Sequence, residues 1–150
     1  MRILFVCSGN TCRSPIAEAI VRRIAADAGR ADVEVSSAGT NAWDGSPPSD
    51  GALLIGMERG LDLSGHRSRH LTKEIVDEND LVLAMAPSHL ARVKELSESA
   101  NAHLLAGFTT GLRKDEPVQD PFGGDLEAYR ETADELEREL SGILERIPGS

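Results

Sequence analysis

The chain has 150 residues, of which 40% are hydrophobic, and its formal net charge at pH 7 is −9. This length predicts one domain over residues 1–150 with a sizeable core, and the acidic balance disfavours nucleic acid as a partner, because neutralising phosphates requires a basic stripe. The apolar run Ile3–Val6 is too short for a signal peptide and no stretch approaches the length of a membrane span, so we expect no membrane association.

The first elements are predicted as a strand, a helix and a second strand. Residues 2–6 are a continuous apolar run, typical of a parallel strand that is buried on both faces. Ser14 and Pro15 are expected to be the N-cap and first residue of a helix that ends near Gly29. A short strand follows at 33–36.

Strands and helices continue to alternate after a loop at 37–51 that is rich in Gly, Pro and Ser. Later strands are predicted at 81–85 and 103–106, and later helices at 52–59, from Thr72, from Pro87 to Leu96, and over a closing segment with the apolar residues Leu126, Leu136, Leu140, Ile143 and Leu144. The polar segment 109–124 is predicted as a loop. The order predicts an α/β fold, a single doubly wound sheet of about four parallel strands with helices on both faces.

The segment VCSGNTCRSP, residues 6–15, joins the first strand to the first helix. Backbone N–H groups and a helix N-terminus converge in such a loop, which favours an anion such as phosphate. Cys7 falls at the carboxyl end of its strand, where ligands bind in α/β sheets. We expect the amides and Arg13 to lower the pKa of this thiol, and the planar guanidinium can hold two phosphate oxygens. An isolated cysteine would more often be a buried small hydrophobic residue, but the C-x5-R-S spacing predicts a nucleophile.

This segment, together with SSAGT, Trp43, the Pro47–Pro48 pair and DPFGG at 120–124, resembles the low-molecular-weight protein tyrosine phosphatases along essentially the whole chain. The resemblance implies that Cys7 is the nucleophile, Arg13 the phosphate clamp and Asp120 the general acid. It further implies a substrate-binding set that consists of Ser8, Gly9, Asn10, Thr11, Cys12, Ser14, Trp43 and Phe122.

The same resemblance implies how the phosphate-binding loop is held. Ser14 would hydrogen-bond the thiolate, Asn10 would bond a serine of the Ser36–Ser37 pair, and His66 would pack behind the loop. Trp43 and Phe122 would form walls at the cavity mouth, although ordinary packing is the alternative for both. Cys12 either fills the loop or is a resolving thiol that pairs with oxidised Cys7.

Two features depart from the tyrosine-directed members of the family. Phe122 is followed by Gly123 and Gly124 where a second aromatic residue is usual, and Thr11 stands where a bulky aliphatic residue is common. Both features resemble the branch that hydrolyses phosphoarginine in proteins. We therefore expect a phosphatase that acts on phosphoarginine or phosphotyrosine through a cysteinyl-phosphate intermediate, with a slight preference for phosphoarginine.

Two other classes share such a loop and are less favoured. Thioredoxin-coupled arsenate reductases relay a disulfide through further cysteines, but no cysteine follows Cys12. A non-catalytic phosphate-binding module is expected to lack the thiol or the acid, whereas Cys7 and Asp120 are both present.

Partners and location follow from these expectations. The substrates would be phosphorylated proteins and the product inorganic phosphate, with no cofactor, and with no metal because Arg13 and the loop amides already supply a positive field. Two cysteines without zinc-ligand spacing indicate reduced thiols and a cytoplasmic location. We expect a monomer or a weak dimer.

Overall fold

The computed structural model describes residues 1–109 and 116–148, so positions 110–115 of the predicted loop at 109–124 lie outside the described residues. Within those ranges, four parallel strands form one sheet in the order β2-β1-β3-β4. The strands are β1 (Arg2–Cys7), β2 (Glu34–Gly39), β3 (Leu81–Ala84) and β4 (Ala102–Leu104). Since chain order reverses on either side of β1, the end of this strand is the position where α/β sheets bind ligands.

Helices cover both faces of the sheet, as the α/β prediction requires. They are α1 (Arg13–Asp27), α2 (Asp50–Arg59), α3 (Lys73–Asp77), α4 (Pro87–Leu96) and α5 (Leu126–Leu140), with a 3₁₀ turn at Ile143–Arg146. Alternate residues of β1 point to opposite faces: Ile3 and Phe5 pack in the core cluster that includes α1 and α5, whereas Leu4 and Val6 pack with residues of α3 and α4. None of the described helices combines the length and apolar character needed to span a membrane.

The start of α1 differs from the sequence prediction. The helix begins at Arg13, its N-cap position is Cys12, and Cys12 makes no side-chain capping bond. Ser14 is not the N-cap because its hydroxyl contacts Cys7 and Asn10 instead. The predicted helix stop after α2 is confirmed: Gly60 has a φ of 71° and its N–H bonds to the last turn.

The ends of two other elements also differ from expectation. The closing helix α5 ends at Leu140, and Ile143 lies in the separate 3₁₀ turn. The last strand covers Ala102–Leu104 and not residues 103–106, because β3, its pairing partner, ends at Ala84 opposite Leu104. Both differences lie away from the carboxyl end of β1, whereas β2, predicted at 33–36, extends into the predicted loop as far as Gly39, which pairs with Cys7 there.

Candidate active site

The loop after β1 turns sharply at Asn10. Asn10 has a φ of +57°, the one positive φ among the described residues other than glycine, and asparagine tolerates this left-handed conformation better than most residues. The turn directs the Asn10 N–H toward Cys7 Sγ, 3.2 Å away. The loop thus folds back over the end of its own strand and brings backbone donors to the sulfur.

The neighbouring strand leaves room for this loop because it ends in glycine. A Cβ on Gly39 would lie 2.4 Å from the Ser8 carbonyl oxygen, a distance that would force the backbone apart. Beyond Gly39, the Thr40 N–H donates to the Cys7 carbonyl and the Asn41 N–H donates to the Ser8 carbonyl, both at 2.9 Å. The SAGT sequence therefore holds the chain close against the loop.

Cys7 lies almost fully buried at the base of the loop, with its Sγ 2.9 Å from Ser14 Oγ. Burial raises the pKa of the Cys7 thiol above its ordinary value, while hydrogen bonds from Ser14, the charge of Arg13 and the Asn10 N–H oppose that rise. The expectation of a lowered pKa is therefore wrong in sign, because desolvation of the sulfur outweighs the contacts that favour the thiolate. The loop sequence indicated the contributions of Arg13 and the backbone amides, and the family resemblance implied that of Ser14.

Asn10 connects the loop to the elements behind it. Its Nδ2 donates to Ser14 Oγ at 2.8 Å and to Ser37 Oγ at 2.9 Å, and its Oδ1 accepts from the Arg69 N–H at 2.9 Å. His66 Nε2 lies 2.7 Å from the Asn10 carbonyl oxygen. The contacts to Ser37 and His66 are the two that the family resemblance implied, and they hold the loop against β2 and the segment before α3.

Arg13 and Asp120 meet across the loop from Cys7. Arg13 Nη2 lies 3.5 Å from Asp120 Oδ2, and Nη1 donates to the Val118 carbonyl at 3.2 Å. The Val118 N–H in turn donates to the Met85 carbonyl at 2.7 Å, which fixes this segment to the end of β3. The Arg13 side chain is 7% exposed and that of Asp120 52%, so a buried cation lies beside a carboxylate that water can reach.

These groups line one cavity of about 240 Å³. Its lining residues are Cys7, Ser8, Gly9, Asn10, Thr11, Cys12, Arg13, Asn41, Asp120 and Phe122. Most of the residues singled out by sequence are therefore brought together, with a thiol, a guanidinium and a carboxylate around one space. This set can bind an oxyanion and bring a nucleophile and a proton donor to it.

Two of the expected substrate-binding residues do not line the cavity. Ser14 lies behind its floor and contacts Cys7 from below. Trp43 is 83% exposed and absent from the lining, since its backbone is held by Ser68 while its ring faces solvent. Phe122 does line the cavity and is 74% exposed.

Cys12 faces away from solvent toward α2 and α5. Its Sγ lies 3.3 Å from Ser49 Oγ and 3.4 Å from the Tyr129 hydroxyl. Burial, followed by the contact with Cys12, raises the pKa of Tyr129 to about 12. Both cysteines are free thiols, and the resolving role of Cys12 stays a prediction.

Sequence reasoning missed two residues at the site. Asn41 lines the cavity, and its position directly after SAGT, just beyond the end of the strand beside β1, was a usable signal. His89 lies behind Ser8, with Nε2 2.8 Å from Ser8 Oγ. It comes from the first turn of α4, which the chain reaches about eighty residues later, so no local pattern connects the two.

Comparison with known proteins agrees with this geometry. A model of the low molecular weight phosphotyrosine protein phosphatase family matches residues 2–149. A protein-arginine-phosphatase of Geobacillus stearothermophilus is 40% identical, over 97% of this chain and 95% of the relative. A low molecular weight protein-tyrosine-phosphatase of Streptomyces coelicolor is 34% identical, over 97% and 93%.

A solved structure with the same fold bears directly on the cysteine. It is a YwlE arginine phosphatase, a C7S mutant with a phosphorylated active-site serine, with a TM-score of 0.86, 37% identity, and coverage of 97% of this chain and 95% of that one. In that relative, the side chain that replaces the cysteine carries the phosphoryl group. On the strength of the family match and these full-length relatives, the chain belongs to the low molecular weight phosphotyrosine protein phosphatase family.

Proposed function

We propose that this cysteine-dependent protein phosphatase acts on phosphoarginine in proteins in preference to phosphotyrosine, with Cys7 as nucleophile, Arg13 as phosphate clamp and Asp120 as general acid. The observation that carries the proposal is the single cavity into which all three residues project. Cys7 is at its base, and Arg13 and Asp120 contact each other beside it.

In the first step, the Cys7 sulfur forms a bond to phosphorus as the bond from phosphorus to the leaving group breaks. The leaving nitrogen or oxygen takes its proton from Asp120, whose half-exposed carboxyl group can exchange protons with water. The Cys7 thiol first passes its proton to an oxygen of the bound phosphoryl group, and Ser14 Oγ and the Asn10 N–H stabilise the resulting sulfur anion before attack. Arg13 and the loop amides hold the equatorial oxygens of the phosphoryl group as its charge redistributes.

In the second step, water replaces the dephosphorylated protein in the cavity. Asp120, now a carboxylate, accepts a proton from this water, and the water oxygen bonds to phosphorus while the sulfur–phosphorus bond breaks. Inorganic phosphate leaves and Cys7 is regenerated. Asp120 gives its proton in the first step and regains one in the second, and the departing phosphate returns a proton to the Cys7 sulfur, so the enzyme ends the cycle with the same number of protons as it began.

The residues around the cavity favour a substrate with a guanidinium leaving group. Thr11 and Asn41 line the cavity, and a threonine hydroxyl and an asparagine amide can both accept bonds from guanidinium N–H groups. Gly123 has a φ of +80°, a conformation that a second aromatic residue adopts only under strain. One wall that would grip a phenol is therefore missing, as it is expected to be in a phosphoarginine-directed member of the family.

Phosphotyrosine is the second candidate substrate, and Phe122 favours it. The ring lines the cavity mouth and is mostly exposed, so it could stack on a phenol. The 34% identical relative is named a protein-tyrosine-phosphatase, whereas the 40% identical one is named a protein-arginine-phosphatase. We give Thr11, Asn41 and Gly123 more weight than Phe122, because all three positions favour phosphoarginine.

The test compares two substrates under one buffer condition. We expect kcat/KM on a phosphoarginine-containing protein to exceed that on a phosphotyrosine peptide, with Cys7→Ser as the inactive control. A higher value on phosphotyrosine would overturn the substrate assignment while leaving the phosphatase chemistry in place. We further propose that the protein acts in the cytoplasm, because a free nucleophilic thiol requires reducing surroundings. We also propose that it is a monomer or a weak dimer, and sedimentation velocity tests this oligomeric state.

A further inference from the structure

A buried histidine lies behind the phosphate-binding loop and takes no part in the mechanism above. His89 occupies the first turn of α4 and is 4% exposed. Its Nε2 lies 2.8 Å from Ser8 Oγ, and Ser8 both follows the nucleophile Cys7 and lines the cavity. The imidazole therefore contacts the hydroxyl of a residue that lines the cavity.

The other ring nitrogen of His89 decides which way this hydrogen bond runs. Nδ1 is buried and has no hydrogen-bond partner among the residues that the structure describes. A neutral imidazole carries one proton, on either nitrogen. A proton on Nδ1 would create a buried N–H donor without an acceptor, and such donors are rarer in proteins than under-satisfied acceptors. The proton therefore belongs on Nε2, which donates to Ser8 Oγ.

We propose that His89 is a positioning residue, which donates from Nε2–H to Ser8 Oγ and so leaves the Ser8 hydroxyl proton free for a phosphoryl oxygen in the cavity. The inference rests on the proposed binding of the phosphoryl group by this loop. With the opposite tautomer, the Ser8 hydroxyl would donate its proton to His89 Nε2. Its oxygen would then present only lone pairs to the anion, and the two would repel each other. The direction of one hydrogen bond thus decides whether Ser8 assists binding.

Burial of His89, with a smaller contribution from Arg13, keeps this arrangement unchanged around neutral pH. Arg13 and Asp120 are the charged groups that act on the ring; burial, then Arg13, lowers the pKa of His89 to about 4, and Asp120 opposes the shift. A second proton would have to sit on Nδ1, which lacks an acceptor in the described structure. His89 is therefore neutral at neutral pH, and it stays the hydrogen-bond donor to Ser8 while Asp120 gives up and regains its proton in the proposed reaction.

The first experiment records the tautomer directly in the wild-type protein. Ring ¹⁵N and ¹³C chemical shifts of His89, at pH 7 and with inorganic phosphate bound, distinguish a proton on Nε2 from one on Nδ1. We expect the Nε2–H form in both samples. A proton on Nδ1 overturns the proposal, whatever the variants do, and this measurement needs no substitution that could disturb folding.

The second experiment uses the inhibition constant of inorganic phosphate. We expect Ser8→Ala and His89→Phe each to raise it about 10-fold, since a bond to a charged oxygen is lost in both, and the double variant to add nothing more. His89→Gln keeps an N–H donor and should recover most of the affinity, while the exposed His103→Gln is the matched control. Equal affinity in His89→Gln and His89→Phe would overturn the proposal. If wild-type enzyme bound no phosphate, the proposed function would fail instead, whereas the tautomer would still be measurable.

Discussion

The floor and the rim of the cavity are built in different ways. Cys7, Asn10 and Arg13 at the floor, with Ser14 directly behind them, are all buried, and hydrogen bonds to side chains or backbone hold each of them. At the rim, the rings of Trp43 and Phe122 are mostly exposed. Groups that must stabilise a transition state need fixed positions, whereas groups that receive a large protein substrate need access to it.

The floor and the rim differ in burial because different numbers of secondary-structure elements hold their backbones. Loop residues 8–12 lie between β1 and α1 and are backed by the glycine end of β2, so three elements fix their backbone. Asp120 and Phe122 are on an irregular segment that is tied to the sheet through the Val118 N–H. Substitutions at the floor should therefore affect every substrate, and those at the rim should discriminate among substrates.

The largest effect is expected for Cys7, the proposed nucleophile. Cys7→Ser should reduce turnover of any substrate by at least about 10⁴-fold, because a hydroxyl at this position is a far weaker nucleophile. The protein should still fold and bind inorganic phosphate, since Arg13 and the loop amides are unchanged; calorimetric titration measures this. Cys12→Ser makes the same exchange at the other free thiol and is the matched comparison, which should keep most of the turnover because Cys12 Sγ contacts Ser49 and Tyr129. Turnover by Cys7→Ser near the wild-type rate would rule out the mechanism.

At the rim, Asp120→Asn should have an effect that depends on the leaving group. With a poor leaving group such as a tyrosine phenol, the loss of the proton donor should lower kcat by about 10²- to 10⁴-fold. With p-nitrophenol, which leaves without assistance, the loss in the first step should be much smaller. Burst kinetics on both substrates separate the two steps. Equal losses on the two leaving groups would mean that Asp120 acts through Arg13, its partner at 3.5 Å, and not as an acid.

The success of the sequence prediction also differs between the floor and the rim of the cavity. The floor was largely predicted, because Cys7, Arg13 and Ser14 follow one another along the chain between a strand and a helix. The degree of burial could not be predicted from the sequence, so the predicted direction of the Cys7 pKa shift was wrong. His89 was missed for a related reason, since its contact with Ser8 spans 81 positions.

The fold itself was predicted well because its elements carry local signals. The apolar run of β1 and the glycine after α2 both mark boundaries that the structure reproduces. The start of α1 was misplaced because Ser14 and Pro15 form an ordinary capping pattern, while the Ser14 hydroxyl is taken by the active site. Function thus overrides a local rule at the residue where the two compete.

Thr11 tests whether the cavity walls discriminate between substrates. Thr11→Ile keeps the β-branched shape and hence the loop backbone, but it replaces the hydroxyl of a cavity-lining residue by an apolar group. A lost hydrogen-bond partner in a desolvated site costs about 1–3 kcal/mol, so kcat/KM on phosphoarginine should fall about 5- to 150-fold, while that on phosphotyrosine should stay level or rise. Parallel assays of both proteins on both substrates measure this. A fall of equal size on the two substrates would show that Thr11 supports the loop and does not select the substrate.

Ser14 offers a sharper test of how the floor controls the thiol. The Ser14 hydroxyl, 2.9 Å from Cys7 Sγ, lowers the pKa that burial raises, so Ser14→Ala should move the pKa of Cys7 further upward. The rate of Cys7 alkylation by iodoacetamide, followed against pH, should then reach its midpoint at a higher pH than in the wild type. Ser37→Ala is the control, because it removes the other acceptor of Asn10 without touching the sulfur. A midpoint that moves downward in Ser14→Ala, or as far upward in Ser37→Ala, would contradict this assignment.

The smallest effect is expected at Trp43, where the sequence and the structure point in different directions. The family resemblance implies that this ring walls the cavity, but in the structure it is 83% exposed and does not line it. Its backbone carbonyl accepts a bond from Ser68, so Trp43→Ala should leave the loop in place and change kcat/KM on a small aryl phosphate by less than about 3-fold, the range of an exposed contact. Phe122→Ala is the comparison, since that ring does line the cavity and its loss should be larger on the same substrate. If Trp43→Ala lost as much as Phe122→Ala, the ring would have to fold over the bound substrate, and the rim would be less open than the structure shows.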